Sequence, residues 1–194
     1  MDALDALEAK RLLGALLNTR PELLADAAAL ASAELGSVTV DRVAEDVARA
    51  VGALRIEKVW GRSGPQSDGS YVEPTEAVWT VFEESIAPFI EDLERRIRLG
   101  HEEAAIAICE GALLALYRVE QVHGEAFLDG HAPDLIGEAA GFMVDTWKKS
   151  GGRARPRSAR HRAAMRAFVA ENLPEWRSFL IRMLGREPKQ RRSR

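Results

Sequence analysis

The chain has 194 residues, 46% of them apolar and 29% charged, enough to bury roughly 70% of its unfolded surface without a disulfide or metal staple. Its single cysteine, Cys109, excludes an intramolecular disulfide and every multi-cysteine zinc or iron–sulfur site. The net charge of −3 conceals a split: residues 1–147 carry 12 Lys/Arg against 27 Asp/Glu, and residues 148–194 carry 15 against 3, an asymmetry that bears on partners rather than on fold.

The opening segment, MDALDALEAKR, is acidic and amphipathic and lacks the basic start and apolar run of a secretory signal. Leu4, Leu7, Leu13, Leu16 and Leu17 recur at near-helical spacing, so a first helix is expected, broken at Asn18. Thr19-Arg20-Pro21-Glu22 has the form of a capping box, and a second helix through Leu23, Leu24, Ala27, Leu30 and Ala31 should end at Gly36. Val40, Val43, Val47, Val51 and Leu54 then step by three and four. Valine favours strands, but alternation would set Asp41 and Glu45 on a face that has to be buried, so period decides for a third helix. Glu45 and Arg49, four apart, agree with it.

Residues 55–73 form the longest stretch expected to be non-helical, broken by Gly61, Gly64, Pro65 and Gly69. Pro74 opens the longest helix, striped by Val78, Trp79, Phe82, Ile86, Phe89, Ile90, Leu93 and Ile97. Pro88 inside it removes a ladder bond and predicts a kink or two abutting helices. Gly100 ends it, and the next helix, His101 to about Val122, is apolar nearly all round, hence the most buried. Its apolar run, Ala104–Leu116, is too short to span a bilayer. Phe127 and Leu128 read as plugs of a loop, followed by an amphipathic helix at 134–149 through Leu135, Ala139, Phe142, Met143 and Trp147. Ser158 caps a helix containing Met165, Phe168 and Val169, and Asn172-Leu173-Pro174-Glu175 reads as a second capping box before Trp176, Phe179, Leu180, Met183 and Leu184.

No segment reads as a strand. The expected fold is all-α: about eight helices as stacked helical hairpins, either a short solenoid or a compact bundle. The expected division is a helical-repeat body at 1–149, a basic linker at 150–157, a helical hairpin at 158–185 and a disordered basic tail at 186–194. With neither signal nor spanning helix, the expected location is cytoplasmic.

The run from Val40 to Leu54, VWGRSG, Tyr71-Val72-Glu73-Pro74 and the helix–Gly100–helix hairpin after it together resemble a family of helical-repeat proteins of bacteria and archaea whose activity is uncharacterised. Its members often occur in chains that also carry a SWIM-type zinc finger. The resemblance covers somewhat over half the chain and implies an all-α repeat scaffold. A SWIM finger needs paired cysteines and a Cys–His end, which a chain with Cys109 alone does not offer, so a zinc-dependent nucleic-acid role does not carry over.

Chemistry is sparse. The histidines 101, 123, 131 and 161 have no metal-ligand spacing, and no phosphate-binding glycine loop or nucleophile elbow is present. No catalytic residue, cofactor or metal is expected, and Cys109 reads as a small core hydrophobe. Glu110 interrupts the apolar run. It is either a buried carboxylate with an elevated pKa or part of an exposed edge with Glu103 and Arg118. Trp60, Arg62, Tyr71 and Glu73 on the glycine-rich loop could contact a partner. Alternatively, Trp60 and Tyr71 pin the loop while Arg62 and Glu73 pair locally. Lys148, Lys149, Arg153, Arg155, Arg157, Arg160 and Arg162, with Arg166 and a second basic run from Arg186 to Arg194, have the charge density for phosphate contact, or else offset the acidic body. The leading expectation is a non-enzymatic helical interaction module binding a protein partner or a copy of itself. The second is nucleic-acid binding through 148–194, and a third is an enzyme with Glu110 and the 60–73 loop in one cleft.

Overall fold

The computed structural model describes residues 5–123, 132, 134–149 and 158–185. Among them are nine α-helices and one minimal pair of strands, so the fold is all-α. The expected plugs Phe127 and Leu128, the linker at 150–157 and the tail at 186–194 lie outside the described residues.

The chain divides into two compact units at 37/38. That differs from the expected body at 1–149, because neither of the first two helices contributes a residue to the buried core. The first unit contains α1 (Ala6–Thr19), a 3-10 turn (Pro21–Leu23) and α2 (Leu24–Gly36), and neither helix has a buried residue. The cap on α1 is Asp5, whose carboxylate accepts from the amides of Leu7 and Glu8 at 2.8 Å, while Glu8 accepts from the Asp5 amide at 3.0 Å. The expected box at Thr19–Glu22 does not form. Thr19 is still helical and its hydroxyl donates backwards to the Ala15 carbonyl, the local competition that makes Thr ambiguous at helix ends.

The second unit gathers around α6 (Glu102–His123), thirteen of whose 22 residues are buried. That fraction makes α6 the shared wall of a bundle formed with α3 (Val40–Gly52), α5 (Pro74–Arg98), α7 (Leu135–Lys149) and α8 (Ala159–Asn172). Val43, Val47 and Val51 of α3 are buried as the spacing predicts. Arg49, however, pairs with Asp46 at 2.7 Å, one residue nearer than the expected Glu45. A Cβ on Gly111 of α6 would lie 2.6 Å from the Val40 carbonyl oxygen and from Val43 Cβ, so this glycine sets how closely α3 and α6 pack.

The 55–73 segment is more regular than expected. It holds a five-residue helix, α4 (Ile56–Trp60), then β1 (Gly64–Pro65) antiparallel to β2 (Tyr71–Val72). Gly64 and Gly69 have φ of +97° and +86°, which the tight return requires. Asp68 accepts from the Ser70 hydroxyl at 2.7 Å and the Ser70 amide at 3.0 Å, bonds that hold its carboxyl below the usual range.

Helix α5 runs unbroken through Pro88 rather than as two helices. Pro88 is on the exposed face, while Phe82 and Ile86 before it and Leu93 and Ile97 after it are buried, so packing holds the helix across the missing bond. The C-terminal pair, α8 and α9 (Arg177–Leu184), belongs to this second unit and not to a separate hairpin domain. Trp176 explains why. Its indole lies edge-on to Tyr117, centroids 5.4 Å apart, and Nε1 donates to Glu120 Oε2 at 2.6 Å. Asn172 closes α8 with its amide on the Phe168 carbonyl, so the second expected capping box also fails to form.

Candidate protein-docking groove

A concavity with a largely apolar lining lies along α5 and α7. On α5, Trp79, Phe82, Glu83, Ile86, Ala87, Ile90 and Glu91 share one face, and Glu138, Ala139 and Phe142 of α7 oppose them around a volume of about 510 Å³. The spacing along α5 that builds the core stripe also builds this groove. Phe82 and Ile86 reach inward, while Trp79 and Ile90 on the stripe's shoulder stay half-buried. Phe142, expected in the core, is 56% exposed and forms part of the groove wall. It is one step round α7 from the buried Leu135, Ala139, Met143 and Trp147.

The rim carries charge of one sign. Glu83, Glu91 and Glu138 are exposed, and none of the three is ion-paired with a cation among the described residues. An apolar floor with three carboxylates around it selects a ligand with an apolar face and basic flanks.

On the glycine-rich segment, Trp60 and Tyr71 are 48% and 59% exposed, while Val59 is buried and Ile56 and Val72, half-buried, pack against the core. Arg62 does not pair with Glu73. It reaches Glu84 of α5 through two parallel bonds of 2.6 and 2.8 Å, the fork geometry that guanidinium and carboxylate share. That bond, before any other cause, holds the Glu84 carboxyl below the usual range. The groove beside it is lined by Ala50, Ala53, Leu54, Lys58, Gly61, Arg62, Val81, Glu84 and Ser85, with no residue of α6.

Glu110 combines both sequence readings. It is half-buried on the edge it shares with exposed Glu103 and Arg118. Burial first, then the Glu103 charge, push its carboxyl from about 4.5 to about 7. Glu103 and Glu102 flank His161 of α8 at 3.3 and 2.7 Å. Cys109 is buried, its thiol 3.9 Å from the Met143 carbonyl oxygen.

Part of the basic segment has structural work. Lys148 and Lys149 pair with Asp145, and Lys148 also donates to the Met183 carbonyl. Arg166 donates to the carbonyls of Leu184 and Gly185. Both cations therefore close the C-terminus of α9, where carbonyls lack helical partners and the dipole is negative. Arg160 and Arg162 lie in the first turn of α8, and Arg153, Arg155 and Arg157 lie outside the described residues. No single helix among the described residues is long and apolar enough to cross a membrane.

Compared with protein-family models, curated proteins and solved structures, the chain matches none.

Proposed function

We propose that this protein is a non-enzymatic interaction module whose α5–α7 groove receives a basic amphipathic helix of another protein, in the cytoplasm. The observation that supports it is the pairing of an apolar floor with the carboxylates Glu83, Glu91 and Glu138, which have no ion-pair partner among the described residues. Helix-in-groove recognition needs this combination: apolar anchors at i, i+3, i+4 and i+7 supply affinity, and flanking charges supply orientation and encounter rate. The acidic bias of residues 1–147 draws the same kind of partner from a distance.

The test uses a fluorescent helical peptide with leucines at those positions and lysines on its flanks. It should bind the full chain, weaken with added salt, and lose about tenfold or more in affinity to the double variant Glu83→Lys with Glu138→Lys. Equal binding of a glutamate-flanked control peptide would end the proposal. Nucleic-acid binding through 148–194 is the weaker reading, because Lys148 and Arg166 are already committed to α9.

A further inference from the structure

Both walls of the α5–α7 groove, which lie within the second unit, carry the same pairing of side chains. On α5, Trp79 and Glu83 are four residues apart, and on α7 so are Glu138 and Phe142. That spacing is about one helical turn and places the paired side chains about 5–6 Å apart at Cβ. Phe142 is 56% exposed and Trp79 half-buried. Among the described residues, neither ring stacks on another ring or on a cation, and neither carboxylate is ion-paired. The third rim carboxylate, Glu91, lacks such a neighbour. Ala87 and Pro88 occupy the turn before it, and Glu94 and Arg95 the turn after.

An open aromatic face one turn from an open carboxylate suits a planar cation. A guanidinium stacks its weakly hydrated face on the ring and keeps its N–H edge for the carboxylate, often through two parallel bonds. The chain already uses that edge geometry between Arg62 and Glu84, at 2.6 and 2.8 Å. An ammonium is a compact, strongly hydrated point charge, which reaches the carboxylate but gains less from the ring. We propose that the groove selects arginine over lysine, and that Trp79 and Phe142 set the preference. Two arginines of the bound helix lie on these rings and pair with Glu83 and Glu138. At Glu91, where no ring adjoins, either cation serves. This preference rests on the α5–α7 groove being the helix-docking site, and it names the side chains that the partner must carry.

Two fluorescent helical peptides with the same leucine anchors and the same net charge, one flanked by arginines and one by lysines, test this on the full chain. The arginine peptide should bind about tenfold tighter, because two stacked contacts of modest strength multiply. Trp79→Leu with Phe142→Leu keeps the groove apolar and should bring the two affinities to within about twofold of each other. Phe142→Leu alone, at an exposed position outside the core, should lower the preference to about threefold, and it reports even if the paired change unsettles α5. Glu91→Gln should weaken both peptides alike and leave their ratio unchanged. Equal binding of the two peptides to the native chain overturns the arginine preference while the groove stands as a helix site. A preference that survives the loss of both rings, or that Glu91→Gln removes, overturns it too. Binding of neither peptide overturns the groove as a helix site, and the preference with it.

Discussion

Glu110 and Gly111 adjoin on the most buried helix and test opposite kinds of packing. A carboxyl raised to about 7 is held neutral more readily by the folded chain than by the unfolded one. Its stabilising contribution is therefore complete below about 4.5 and lost as pH rises through about 7. The side chain is partly solvated, so the full shift overstates the effect, and on the order of 1–2 kcal/mol is expected. Glu110→Gln should thus become more stable than the native chain above neutrality, and the gap should close towards pH 4.5. Urea midpoints of the two proteins at matched pH measure it, and a gap constant with pH contradicts the assignment. Gly111→Ala should do the reverse at every pH. The added methyl meets the backbone of Val40 and the Cβ of Val43 at 2.6 Å, and overpacking of this kind costs about 1–3 kcal/mol, more than the helix propensity gained. The ambiguity at Glu110 was visible in the sequence as a charge inside an apolar run. Gly111 was not, because only the approach of α3 distinguishes a required glycine from a tolerated one.

At the scale of elements, hydrophobic period carried most of the information. Val43, Val47 and Val51, most of the α5 stripe and thirteen of the 22 residues of α6 are buried where their spacing puts them. Local polar chemistry was less legible. Thr19 and Asn172 both turn back onto their own helices instead of capping the next, while Asp5 caps α1 unannounced. Pairing across the fold was least legible: Glu84 lies 22 residues from Arg62, and Glu120 lies 56 from Trp176. The same holds for α9, which ends on Lys148 and Arg166, cations from two other helices. Replacing Arg166 with methionine keeps its packing stem and removes its donors, so about 1 kcal/mol should be lost. Hydrogen exchange should localise the loss to α9 and leave α3 and α6 unchanged. Faster exchange spread evenly over the bundle would show that Arg166 supports the core instead.

Over the whole molecule, composition predicted the class but not the partition. Leucine spacing in α1 and α2 looks the same whether a helix packs on its own chain or on another, so the boundary at 37/38 left no mark in the periodicity. It does have a thermodynamic consequence. The core from Val43 to Leu184 contains no residue of the first unit, so removing residues 1–37 takes away no buried side chain among the described residues. The shortened chain should unfold in one cooperative transition, with a midpoint within about 3 °C of the native value at high dilution. Calorimetry of the two chains at matched, low concentration measures the difference. A shortened chain that melts broadly even when dilute would mean that the bundle around α6 depends on the first two helices.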